Sequence, residues 1–93
     1  MVRAFVLYAE QPDQDAYAEH VTLCRRVAGA TFRHGPIFGS PTGDPRYRYY
    51  TEWEFGDMDA FKAAARSEEF MATGKDAYKR GFPQPSVLFA DVS

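Results

Sequence analysis

Residues 46–55 read Arg46-Tyr47-Arg48-Tyr49-Tyr50-Thr51-Glu52-Trp53-Glu54-Phe55. Side chains alternate across a strand, so Tyr47, Tyr49, Thr51, Trp53 and Phe55 fall on one face and Arg48, Tyr50, Glu52 and Glu54 on the other. The first face is core-forming and the second is polar. Upstream, Gly39 to Pro45 is rich in turn residues (Pro41, Gly43, Asp44, Pro45), and Thr31 to Phe38 reads as a second strand. Gly35-Pro36 interrupts it, which suits an edge position or a bulge. These two strands form a hairpin with a longish connection.

Farther out, Val2 to Ala9 is apolar at both parities, the mark of a strand covered on two faces. Asp13 is a candidate N-cap and Asp15 suits a first helical turn. Ala16, His20, Leu23 and Val27 recur at helical spacing beside Tyr17, Val21 and Cys24, giving an amphipathic helix that Gly29 is placed to stop. Downstream, Gly56-Asp57 caps a helix whose stripe is Met58, Phe61, Ala64 and Ala65. Ser67-Glu68-Glu69 looks like a fresh N-cap and acidic first turn, so the helix breaks or restarts there. Phe70, Met71, Gly74, Ala77 and Tyr78 continue an apolar face, Gly81-Phe82-Pro83-Gln84-Pro85 ends it, and Ser86 to Val92 is the last strand.

The order β-α-β-β-α-β predicts an α+β, ferredoxin-like domain spanning 1–93: a four-stranded antiparallel sheet with the helices on one face. The other sheet face is left bare, and a second copy packed sheet to sheet is its simplest cover. Composition points the same way. Eight Phe, six Tyr and one Trp in 93 residues are many large side chains for so small a body, and a chain of this size gains margin from disulfides, a metal or a partner. Cys24 is the single cysteine, which excludes an internal disulfide and a Cys-rich zinc site. A homodimer is the remaining route. Arg3, Arg33 and Arg48 are then the strand cations available to pair Glu52 and Glu54 at the interface.

Net charge is −2, so no basic footprint for nucleic acid exists. The longest apolar stretch, Ala4 to Ala9, is too short to span a membrane. No secretory signal is expected from the opening residues, and a free thiol fits a reducing, cytoplasmic setting. No dinucleotide or phosphate-cradling glycine pattern occurs.

The run Tyr17-Ala18-Glu19-His20-Val21-Thr22-Leu23-Cys24-Arg25-Arg26 resembles the first-helix signature of EthD-like proteins, a Tyr followed by a His and then a Leu. Trp53-Glu54-Phe55-Gly56-Asp57-Met58-Asp59-Ala60-Phe61 is similar to that family's strand-ending Phe leading into an Ala-Phe helix start. Ser67-Glu68 and Asp76 sit where the family carries a turn and a helical Asp. The resemblance covers essentially the whole chain. It implies a dimeric α+β barrel, two ferredoxin-like protomers joined through their sheets. The wider superfamily contains small monooxygenases, isomerases, polyketide cyclases and haem-binding relatives, and EthD is associated with an oxidative ether-degradation system.

His20, on the apolar stripe of the first helix and at the family's His position, is the candidate catalytic acid/base. Its plain alternative is a core histidine bonded to a carbonyl. Tyr49 is the candidate ligand-facing hydroxyl, and Tyr17, beside the His20 stripe, contributes similarly or stays half exposed. Asp76 either orients His20 or pairs at the surface with Lys75 or Arg80. His34 either faces the cavity or lies at a sheet edge. Two histidines without a carboxylate at metal spacing give no metal signature, so neither metal nor cofactor is expected. The expected activity is that of a cofactor-independent enzyme, an isomerase/cyclase or a monooxygenase-like oxidoreductase, acting on a flat hydrophobic organic molecule. The rivals are a non-catalytic ligand-binding or accessory dimer and, last, a haem-binding protein.

Overall fold

A computed structural model describes residues 1–92. Its elements are β1 (Val2–Tyr8), α1 (Gln14–Cys24), β2 (Ala30–Pro36), β3 (Tyr49–Phe55), α2 (Met58–Ala65), α3 (Glu68–Lys79) and β4 (Pro85–Asp91). The strands form one antiparallel sheet in the order β2-β3-β1-β4, the ferredoxin-like topology that the residue pattern predicts. β1 and β3 are central, with Val2 opposite Phe55 and Tyr8 opposite Tyr49.

Local chemistry sets the helix boundaries. Asp13 caps α1 by accepting from the Ala16 N–H, and Asp57 caps α2 through the Ala60 N–H. Ser67 breaks the second crossover into α2 and α3, accepting from the Phe70 N–H at 3.2 Å, as its Ser-Glu-Glu sequence foretells. α1 ends at Cys24, five residues before Gly29. The Arg26 and Val27 N–H groups bond to Leu23 and Cys24, so the helix tightens into three-residue turns there. Gly29, at φ +78°, makes the turn into β2 instead.

β3 starts at Tyr49 rather than Arg46, because its neighbours run out: Tyr49 already faces Tyr8, the last residue of β1, and Pro36, the last of β2. The Tyr47 hydroxyl bonds to Ser86 Oγ at 3.0 Å. β2 stops at Pro36, and Phe38 is fully exposed.

The helices cover one sheet face. Phe55, Trp53, Val2 and Ala4 pack there against Cys24, Val27 and Ala64, with Phe61 and Phe70 closing over them. The Trp53 indole N–H donates to the Cys24 carbonyl at 2.9 Å. A second cluster at the other end of the strands consists of Tyr8, Tyr17 and Tyr49, flanked by Phe82. The opposite face carries Phe5, Leu7, Tyr50 and Leu88 together with a charge set. Arg3 bonds to Glu54 at 2.7 Å and Arg33 to Glu52 at 3.2 Å. Hydrogen bonding by Arg3, outweighing some desolvation, holds the Glu54 carboxyl below its ordinary range. No helix among the described residues is long and apolar enough to cross a membrane.

Phe55 is fully buried between β1 and the helices, ring to ring with Phe61 at 5.6 Å. Phe55→Ala is expected to cost about 3–5 kcal/mol, read in urea as a lower midpoint with an unchanged slope. A shift under ~1 kcal/mol would contradict this packing.

Candidate functional site

α3 packs on α1 and α2, and between it and strands β3, β1 and β4 lies a cavity of about 650 Å³. Ala4, Val6, Thr51, Trp53 and Val87 form its floor. Phe70, Met71, Gly74, Ala77 and Tyr78 on α3 form its roof, and the segment from Gly81 to Pro85 closes one end. The predicted apolar face of the third helix is therefore the cavity roof. The rim is open: Met71, Tyr78 and Val87 are exposed.

The closing segment depends on one glycine. Gly81 has φ +69°. The Phe82 N–H returns to the Ala77 carbonyl at 3.2 Å and the Gly81 N–H to the Tyr78 carbonyl at 3.1 Å. This left-handed helix stop satisfies two end carbonyls of α3 and turns Phe82 inward. Its ring stands edge-on to His20 at 5.3 Å and to Tyr8 at 6.3 Å.

His20 is 2% exposed and lines the cavity. Its Nδ1 lies 2.8 Å from Asp76 Oδ2, reaching from α1 to α3. The same oxygen accepts from Arg80 Nε at 2.8 Å, and Arg80 also bonds to Glu19 at 2.7 Å. Desolvation raises the Asp76 carboxyl, but hydrogen bonds from Arg80 and His20, and their charges, outweigh it and hold it below its ordinary value. Asp76 is therefore a carboxylate at neutral pH and can only accept. His20 Nδ1–H is the donor, so whenever the ring is uncharged its Nε2 carries a free lone pair. Among the described residues every fully enclosed side-chain nitrogen or oxygen has a partner, and Nε2 has none. The space open to Nε2 is the cavity. Both alternatives for Asp76 thus coexist: it orients His20 and pairs with Arg80.

The other named residues lie beside this pair. Tyr17 is buried, not half exposed, and its hydroxyl is bonded to that of Thr51; burial pushes the phenol well up. Tyr49 is buried and shares a 2.8 Å hydrogen bond with His34 Nδ1. Burial raises the Tyr49 phenol and, with Arg25 nearby, lowers the His34 imidazole, so the pair stays neutral. Neither ring is part of the cavity wall. Tyr17 nonetheless connects the two histidines, with ring centroids 5.5 Å from His20 and 5.3 Å from His34. Cys24 is buried, its thiol pushed up to about 12 chiefly by desolvation. No group of three or more metal-ligating side chains gathers among the described residues. Sequence reasoning passed over Tyr8, which lines the cavity. Its parity with Val2, Ala4 and Val6, once the pairing with β3 is known, is the signal that finds it.

No protein-family model matches the chain, and no curated protein does. Solved structures match throughout. An EthD family protein from Bacillus halodurans is 28% identical with a TM-score of 0.80, over 100% of this chain and 99% of that one. A dimeric ferredoxin-like protein of unknown function from Jannaschia is 20% identical with a TM-score of 0.73, over 98% of each chain. A hydroxynitrile lyase from Passiflora edulis is 17% identical with a TM-score of 0.73, over 99% of this chain and 93% of that one. Fold, topology and these likenesses agree with the helix and strand motifs: the chain has the fold of the EthD-like dimeric α+β barrel superfamily and is similar over its whole length to an EthD family protein.

Proposed function

We propose that this protein is a cofactor-independent enzyme that moves a proton on a flat, hydrophobic organic molecule held in the cavity, with His20 as general base. One observation carries the reading: Asp76 lies 2.8 Å from His20 Nδ1 while Nε2 has no protein partner and His20 lines the cavity. The Asp–His pair fixes the tautomer, and the carboxylate stabilises the imidazolium that forms when Nε2 takes a proton. The walls are mostly apolar, and a low-dielectric surround strengthens the charge interactions inside. The Passiflora edulis hydroxynitrile lyase is an enzyme with this fold, a precedent for the scaffold only. Isomerisation or cyclisation needs a base and an apolar pocket, and His20 and the cavity beside it support this reading. The free Cys24 thiol favours a reducing, cytoplasmic setting.

The working unit in this reading is a homodimer joined through the open sheet face. The slab measures 37 × 33 × 16 Å. Its surface, 6090 Å², exceeds the ~5,400 Å² ordinary for a monomer of this mass. The self-paired charges Arg3–Glu54 and Arg33–Glu52 leave Phe5, Leu7, Tyr50 and Leu88 as the apolar patch to cover.

In D₂O, wild-type protein is expected to exchange a C–H for C–D on some member of a panel of flat carbon acids, followed by NMR. His20→Ala should slow this at least ~100-fold while ligand binding persists. Equal exchange by His20→Ala would refute the base assignment, and binding without exchange by wild type would point to a non-catalytic ligand-binding dimer. Sedimentation at micromolar concentration should give twice 10.5 kDa; a monomer would refute the dimer.

Asp76 also ties stability to pH. Its folded pKa lies below its unfolded one, so its contribution is complete above the unfolded value and vanishes as pH falls through the folded one. Asp76→Asn should therefore lose about 1–3 kcal/mol at pH 7, and the difference from wild type should shrink as pH falls below ~3.9, the ordinary aspartate value. A difference that stays constant from pH 7 to 2.5 would contradict the ionised pair.

A further inference from the structure

Besides His20 Nε2, the cavity holds a second polar atom without a protein partner, the Tyr8 hydroxyl. Tyr8 is 1% exposed and lines the cavity. Every fully enclosed side-chain nitrogen or oxygen among the described residues is hydrogen-bonded. The Tyr8 hydroxyl makes no such bond, so what remains open to it is the cavity itself. Neighbouring phenols are already engaged: Tyr17 with Thr51, Tyr49 with His34, Tyr47 with Ser86. Tyr8 and His20 also share one end of the cavity. Both rings stand edge-on to Phe82, and both lie within 6.4 Å of the Tyr17 ring.

A hydroxyl bare of protein partners at the wall of an apolar cavity is the kind of polar atom by which small ligands are oriented. We propose that the Tyr8 hydroxyl donates a hydrogen bond to a ligand carbonyl oxygen, and that the cavity takes hydrophobic ketones or aldehydes bearing an acidic C–H next to that carbonyl. The assignment rests on reading His20 as the base, since the neighbouring C–H is the one Nε2 would take.

The step balances without an added reagent. Nε2 accepts the proton from the α-carbon, the C–H electron pair becomes the C=C bond, and the carbonyl π pair moves onto oxygen. Tyr8 holds the resulting enolate oxygen by its O–H. The imidazolium then returns the proton to the same carbon or to a conjugated one. Burial, with a smaller contribution from Cys24, pushes the Tyr8 phenol up to about 12, so at neutral pH it donates a hydrogen bond without giving up its proton.

The test compares 2-acetylnaphthalene with 2-isopropenylnaphthalene, in which a CH₂ replaces the carbonyl oxygen. Wild-type protein should bind the ketone ~10-fold more tightly, the factor of one hydrogen bond. Tyr8→Phe should erase that preference and leave hydrocarbon binding unchanged. No ketone binding, no preference in wild type, or a preference that survives in Tyr8→Phe would each overturn the assignment. The wild-type comparison stands even if the variant fails to fold. Methyl-proton exchange of the bound ketone in D₂O separates the two readings. If exchange is absent from wild type while the Tyr8-dependent preference holds, the base assignment fails and the carbonyl contact survives. If exchange is present and lost in His20→Ala, both stand.

Discussion

The antiparallel pairing of β1 with β3 is what the rest of the molecule depends on. It sets Val2 against Phe55, Ala4 against Trp53, Val6 against Thr51 and Tyr8 against Tyr49. A slip of one residue would carry the side chains of the strand that moved to the opposite face, placing Arg3 in the core if β1 moved, or Glu54 in the core and Trp53 outside it if β3 did. In the observed register the helix side grades from a packed Phe–Trp cluster at one end to a tyrosine cluster at the other. The packed end supplies the stability. Toward the other end α3 stands off the sheet, and the cavity lies between them.

The site is then assembled across elements that are distant in sequence. Asp76 on α3 reaches His20 on α1, so the helix–helix contact that seals the top of the cavity also fixes the imidazole. Arg80, the C-cap of the same helix, shares the Asp76 oxygen and extends to Glu19. One residue later Gly81 reverses the chain and brings Phe82 against both His20 and Tyr8. Orientation, charge and enclosure of the imidazole thus all converge at the C-terminal end of α3.

The fold was legible because its signals are local. Alternation in 46–55, the capping residues Asp13, Asp57 and Ser67, and the apolar periodicity of α1 each report on residues close in the chain. The site was legible in part. His20 stood out as an imidazole on an apolar stripe, and Asp76 as a carboxyl beside one. Whether the two meet depends on the approach of α1 to α3, which no local pattern encodes. Tyr8 was invisible for a related reason: β1 is apolar at both parities, so its own sequence does not say which face is the helix side. Tyr49 and Tyr8 are equivalent by parity, and only the three-dimensional packing directs the Tyr49 hydroxyl to His34 and leaves that of Tyr8 unpartnered.

The central claim is that Asp76 keeps the proton of neutral His20 on Nδ1 and leaves Nε2 bare toward the cavity. Long-range ¹H–¹⁵N correlation spectra of the histidine rings, recorded on the intact protein above the titration of the imidazoles, read this tautomer directly. A protonated Nδ1 and an unprotonated Nε2 for His20 in wild type, with that preference lost in Asp76→Asn, is the predicted result. A proton resident on Nε2 in the wild-type protein would contradict it.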